Sequence, residues 1–185
     1  PMPTGGGLAI FAGLLAASAA ADIPHFGVTI LSAFLIMLLG LFDDRFELSA
    51  GLKFAGQIAA VLIYVLWGPR IEFMSNPFGE MLYLGRLSIP LTMLWVLTLI
   101  NIMNFIDGID GLTTGITMIS AVALTTLAII LGRYDAALLA IIVVGVSLGF
   151  LPYNFNPARV YLGDGGAMLL GFLLAAVSTE GALKG

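Results

Sequence analysis

Four polar side chains fall three residues apart in residues 101–112, NIMNFIDGIDGL: Asn101, Asn104, Asp107 and Asp110. A second acidic group, Asp43, Asp44 and Glu47, lies in GLFDDRFELS, and Asp164 stands among glycines in YLGDGG. Carboxylates this close repel one another strongly in a low dielectric. They coexist when a divalent cation or a proton lies between them, and their hard oxygens suit Mg²⁺ bound together with phosphate groups. On a straight helix Asn104 would neighbour Asp107, Asp107 would neighbour Asp110, and Asn101 would point about half a turn away from Asp110. Asp43 and Glu47 would share a helix face in the same way. Gly108 and Gly111 make a straight helix doubtful and let backbone approach a ligand.

The rest of the chain explains where these residues must sit. Its 185 residues are 60% hydrophobic and only 10% charged, with a mean hydropathy of +1.09, where soluble domains carry about 25% charged residues. Long Ala/Leu/Ile-rich runs without strand alternation point to membrane-spanning helices rather than a barrel. The fold class is therefore all-α, a polytopic helical membrane protein with about seven transmembrane helices, over 7–21, 27–42, 54–68, 88–103, 112–131, 136–151 and 166–179. Several runs are shorter than the ~20 residues of a usual span. Trp67, Trp95 and Tyr83 extend them into the interface. The first run is the weakest.

If every run crosses, parity puts the N-terminus, 43–53, 104–111 and 152–165 on one side of the membrane. Six of the eleven acids, Asp43, Asp44, Glu47, Asp107, Asp110 and Asp164, then meet on one face, beside the opening PMPTGGG. Ionisable residues at a membrane boundary read as functional. Basic residues do not orient the chain: Arg45, Lys53 and Arg159 lie on the site face, Arg70, Arg86, Arg133 and Lys184 on the other.

Each feature also has a plainer reading. Asp43, Asp44 and Glu47 could be a solvated turn with an Arg45 ion pair. Asp164 could be a helix N-cap, although a glycine-flanked helix start also suits phosphate. Asn154, Asn156 and Tyr161 could offer hydrogen bonds and a stacking face. The glycines of PMPTGGG are a weak phosphate signal, with no Gly-Lys-Ser/Thr following. His25, the single histidine, falls on the opposite face and reads as a loop residue. No cysteine is present, which excludes disulfides and thiolate metal sites. The net charge of −4 comes with no basic patch, so nucleic acid is not a partner. There is no serine–histidine–acid set. The combination predicts Mg²⁺-dependent handling of a diphosphate at a membrane surface, with a lipid as one substrate and a phosphate oxygen or a carboxylate as nucleophile.

PMPTGGG, GLFDDRFELS, NIMNFIDGIDGL and PARVYLGDGGAMLLGF occur in the order and character of the polyprenyl-phosphate N-acetylhexosamine-1-phosphate transferases, glycosyltransferase family 4. The resemblance covers nearly the whole chain. NPFGEMLYLG and DDRFE resemble the UDP-GlcNAc branch more than the phospho-N-acetylmuramoyl-pentapeptide branch. It implies transfer of GlcNAc-1-phosphate from UDP-GlcNAc, a UDP-N-acetylhexosamine, to undecaprenyl phosphate with release of UMP, at a cytoplasm-facing site in the bacterial cytoplasmic membrane. It implies Mg²⁺, with Mn²⁺ as a substitute, and a homodimer as a candidate assembly. By motif matching it implies Asp164 as a metal ligand, Asp43, Asp44 and Asp107 as catalytic, and Asn104, Asp110, Asn154 and Tyr161 as substrate-binding.

Glu47 departs from the family's common Asp, and Gly165 stands where Ser, Thr or Ala is commoner, which would loosen that turn. Family members also carry a basic segment before PMPTGGG and a histidine-rich loop after further helices. Residues 1–185 therefore read as a single integral-membrane domain that is a fragment of a longer chain. The alternatives are a pentapeptide transferase, a UbiA-type prenyltransferase, which releases inorganic diphosphate, and an ion-coupled transporter, whose acids should lie nearer mid-membrane.

Overall fold

The structure, a computed structural model, describes residues 4–19, 23–74 and 79–182. Pro1–Pro3 of the opening motif, and Lys184, lie outside the described residues. Seven helices are present among the described residues: α1 Gly6–Ser18, α2 Phe26–Phe46, α3 Ala50–Trp67, α4 Ser88–Ile106, α5 Leu112–Ile130, α6 Tyr134–Asn154 and α7 Gly163–Ala182. Six are long and apolar enough to cross a membrane, α4 together with the short 3₁₀ turn Gly85–Leu87 that leads into it. The 13 residues of α1 extend only ~20 Å at 1.5 Å per residue. The chain is a multi-pass helical membrane protein, as its composition predicts.

One element falls outside the all-helical expectation. Phe73–Met74 (β1) and Leu82–Tyr83 (β2) pair antiparallel between α3 and α4, with Phe73 opposite Tyr83 and Met74 opposite Leu82. This hairpin lies at the end of the bundle away from the acids.

Helix α7 is the axis. Its residues from Gly165 to Val177 are all buried, and a helix apolar on every side belongs inside. It packs against α1, α2, α4, α5 and α6. Helix α3 reaches it through side chains: the Tyr64 ring meets Phe172 edge-on at 5.1 Å, and the Tyr64 hydroxyl lies 2.6 Å from that of Thr179. Around α7 the outer helices form a ring in chain order, α1 to α6, closed by α6 against α1. Large apolar side chains such as Leu31, Leu94, Ile119 and Leu148 point outward, as lipid-facing surfaces require.

Lipid gives no hydrophobic drive for helix association, so close packing of small residues must supply it. Gly40 of α2 lies against the start of α7; a Cβ there would be 2.4 Å from backbone atoms of Gly165. Gly7 of α1 meets Gly166 in the same way, with 2.7 Å to its backbone nitrogen. These contacts draw the end of α2 and the start of α1 onto the start of α7. They give Gly7 of the opening motif a packing role. Gly165 lies inside α7 and packs on Leu41, to which a Cβ would come within 3.2 Å.

Candidate active site

The C-terminal ends of α2, α4 and α6 and the N-terminal ends of α3 and α7 meet at one end of the bundle, as parity predicts. Lys53, in the first turn of α3, lies at the centre. Its Nζ is 2.6 Å from Oδ2 of Asp43 and 2.6 Å from Oδ2 of Asp164, and it donates to Oδ1 of Asn104 at 2.8 Å. Asn104 in turn donates from Nδ2 to Oδ1 of Asp164 at 2.9 Å. The side chains of α2, α3, α4 and α7 thus close on one ammonium group.

Asp44 does a different job. Its Oδ1 accepts the backbone N–H of Asp164 at 2.8 Å and its Oδ2 that of Gly165 at 3.3 Å. The orphan amides at the start of α7 are therefore capped by a carboxylate from another helix. Asp164 is not the N-cap. It lies one residue inside α7 and turns its carboxylate to Lys53 and Asn104. A phosphate on these two amides would have to displace Asp44. Gly163 has φ +69°, and a Cβ there would be 2.7 Å from Asp44 Oδ2, so the position requires glycine on both counts.

Helix ends depart from the straight-helix expectation. Helix α2 stops at Phe46, and Glu47 takes a left-handed conformation with φ 49°. Asp43 and Glu47 therefore do not form a helical pair; Asp43 Oδ1 accepts the N–H of Leu48 at 2.8 Å. Arg45 lies over the Phe46 ring, 5.6 Å from its centroid, and the ion-pair partner of Asp43 is Lys53. Helix α4 stops at Ile106, so Asp107 and Asp110 occupy a turn. Asp110 Oδ2 accepts the N–H of Ala158 at 3.0 Å and Nδ2 of Asn156 at 3.3 Å. His25 begins α2, at the far end of that helix from Asp43.

Asp107, Asp110, Asn154 and Tyr161 line one small cavity of about 60 Å³, with Gly108, Ile109 and Leu162. Asn154 is buried and committed: it accepts from Thr114 at 2.9 Å and donates to the Val160 carbonyl at 3.2 Å. Tyr161 is held by its backbone, which pairs with Thr4 and accepts the N–H of Gly6 at 3.1 Å. Burial pushes the Asp107 carboxyl up to about 6, the charges of Asp164 and Asp44 add to this, and the Thr113 hydroxyl acts the other way. That hydroxyl approaches without full hydrogen-bond geometry.

Among the described residues no three His, Cys, Asp or Glu side chains converge as a ready metal cage. The donors nonetheless fit a hard cation in kind. Asp164, Asp44 and Asp107 supply carboxylate oxygens near enough for their charges to act on one another, and such oxygens suit Mg²⁺.

Asn101 bonds away from the acids, although α4 ends at Ile106 and Asp110 does not share its helix. Its Nδ2 donates to Oε1 of Gln57 at 2.8 Å, and the fully buried Gln57 donates to the Met168 sulfur at 3.1 Å. Lys53 and Gln57 join the site without belonging to any of its acidic motifs. A cation in the first turn opposes the helix dipole, so Lys53 called for a partner. Gln57, the chain's single glutamine, lies one turn further along the same helix.

The bundle and this site define a class: a multi-pass membrane protein with a carboxylate-, amide- and glycine-rich site at one membrane boundary. The chain belongs to glycosyl transferase family 4, whose sequence profile matches residues 26–182. It is 37% identical, over 99% of its length, to a Bacillus subtilis protein named probable undecaprenyl-phosphate N-acetylglucosaminyl 1-phosphate transferase, of which it covers 52%. It is 36% identical, over 98% of its length, to decaprenyl-phosphate N-acetylglucosaminephosphotransferase of Mycolicibacterium smegmatis, covering 50% of it. Identity to the phospho-N-acetylmuramoyl-pentapeptide-transferase of Streptococcus mutans is 34% over 84% of this chain and 50% of that one. The chain thus spans about half the length of these relatives.

Proposed function

We propose that the protein transfers N-acetylglucosamine 1-phosphate from UDP-N-acetylglucosamine to undecaprenyl phosphate, releasing UMP, at the cytoplasmic face of a bacterial plasma membrane. The observation that carries this reading is the meeting of Asp43, Asp44, Lys53, Asn104, Asp107 and Asp164 at one bundle end, in a family whose relatives bear the names of that reaction. A lipid phosphate and a soluble nucleotide can meet only at a membrane boundary, and a site at the ends of membrane-length helices supports such a meeting. The net change forms a P–O bond from the acceptor phosphate to the sugar-bearing phosphorus. It breaks the diphosphate, and UMP leaves with the bridging oxygen.

In this reading Asp164 would hold Mg²⁺, for which Mn²⁺ can substitute. The cation supplies charge neutralisation for the diphosphate. Lys53 offers a second positive charge on a stem fixed by Asp43 and Asn104. Asp43 and Asp44 are already committed to Lys53 and to the amides of α7. Asp107, with its carboxyl near 6, is suited to take up and release a proton near neutral pH. Asp110 and Tyr161 border the small cavity at which the nucleotide would dock, and Asn154 holds its floor through Thr114 and the Val160 carbonyl.

The test uses the full-length protein in membranes with undecaprenyl phosphate and Mg²⁺. Radiolabelled UDP-N-acetylglucosamine and UDP-N-acetylmuramoyl-pentapeptide are offered in parallel. The proposal expects UMP and labelled lipid from the first donor, both lost on chelation. Product from the second donor alone would favour the pentapeptide reading that the Streptococcus mutans relative supports. Product from neither would overturn both.

A further inference from the structure

The hairpin between α3 and α4 presents apolar side chains on both faces. Phe73, Met74, Leu82 and Tyr83 are each between 36% and 69% exposed, so neither face packs on the bundle. The Phe73 and Tyr83 rings touch across the strands at 5.3 Å. A two-stranded hairpin alone is marginal in water, and an exposed apolar patch of this kind marks an interaction surface.

Its root is fixed in place. The Ile71 N–H donates to the hydroxyl of Thr92 in α4 at 3.0 Å. The N–H of Leu84 donates to the Glu72 carbonyl at 2.9 Å. On either side its surface runs into side chains that face lipid, Trp67 at the end of α3 and Leu87 at the start of α4, 65% and 61% exposed. Arg70, Glu72, Glu80 and Arg86 flank it with charges of both signs. Aromatic and aliphatic side chains among mixed charges, continuous with a lipid-facing band, match the chemistry of a headgroup layer.

We infer that this hairpin is a membrane-surface anchor: Phe73, Met74, Leu82 and Tyr83 enter the headgroup–acyl boundary of the leaflet opposite the acidic site and fix the entry of α4. The occupant is the bilayer itself, and the inference does not depend on the reaction proposed above.

These 185 residues contain no cysteine, so single labels are easily introduced. Leu82→Cys and Tyr83→Cys, on opposite faces of β2, are made in the full-length protein with any further cysteines replaced. They carry an environment-sensitive fluorophore in lipid nanodiscs, with Leu94→Cys on the outer face of α4 as the lipid-exposed control. The expected result is a blue-shifted emission from at least one hairpin label, quenched more by lipids spin-labelled near the headgroup than by aqueous iodide. Iodide quenching of both labels without lipid quenching would put the hairpin in water. Shielding of both from either quencher would assign the surface to a protein partner. Either of the last two results overturns the inference.

Discussion

Lys53 places its ammonium 2.6 Å from a carboxylate oxygen of Asp164, a residue 111 positions further along the chain. This pair ties the first turn of α3 to the first turn of α7, and Asp43 and Asn104 complete the cluster. Lys53→Met would leave two carboxylates facing each other without their counter-charge. Breaking a fully buried pair costs about 3–5 kcal/mol. Asp164 is 37% exposed, so roughly half that cost is expected after solvent screening. Thermal unfolding in detergent checks the loss of stability, and transfer should fall on the order of 10²-fold.

Asp44 should separate structure from chemistry. Asp44 accepts one amide on each oxygen; Asn keeps one acceptor and turns an NH₂ group to the other amide, whereas losing the cap to Ala costs about 0.5–2 kcal/mol. Asp44→Asn should therefore unfold below the wild-type temperature, and Asp44→Ala lower still. If transfer needs the charge of Asp44, both variants lose it. Equal unfolding temperatures for the Asn and Ala variants would contradict the capping role.

The position of Asp107 predicts a dependence on pH. Its carboxyl is raised from 3.8 to about 6 in the folded protein. A raised acid contributes stability at pH below its unfolded value, and that contribution is lost as pH rises through about 6. In cation-free protein, Asp107→Asn should gain in unfolding temperature over wild type as the pH is raised through this window. A difference that stays constant with pH would argue against the raised carboxyl.

Glycine contacts make a contrasting pair. A Cβ on Gly40 would meet the backbone of Gly165 at 2.4 Å, whereas one on Gly145 meets nothing within 4 Å. Gly40→Ala should push α2 from α7 and so part Asp44 from the amides it caps, at a cost of about 1–3 kcal/mol. Gly145→Ala should be neutral or stabilising by about 0.5–1 kcal/mol. Unfolding temperatures of the two variants check both.

Much of this arrangement was legible in the chain. Apolar runs marked the seven helices, and counting crossings brought Asp43, Asp107 and Asp164 to one end, where charged side chains avoid the cost of burial in lipid. The helix ends were legible only in part. The apolar runs end at 42 and 103, and Gly108 and Gly111 marked the turn that holds Asp107 and Asp110, but nothing in hydropathy carries α2 on to Phe46 and α4 to Ile106 or turns Glu47 out of the helix. The capping of α7 by Asp44 depends on how closely Gly40 lets two helices approach, which periodicity does not encode. Lys53 was visible only as one charge among the basic residues of its face, and its role appears once α3 stands between α2 and α4. The hairpin strands are two residues each, too short for any periodicity to register.

Transfer and folding are measured together in two variants of the full-length protein. Asp164→Asn keeps the shape of the residue that Lys53 and Asn104 grip, and Asp107→Asn keeps the shape of the cavity wall. Release of UMP from UDP-N-acetylglucosamine with undecaprenyl phosphate is measured beside circular dichroism of the same samples. Both variants should be helical, folded membrane proteins with transfer abolished. Near-normal UMP release from both would contradict this, and the carboxylates at this end of the bundle would then be structural.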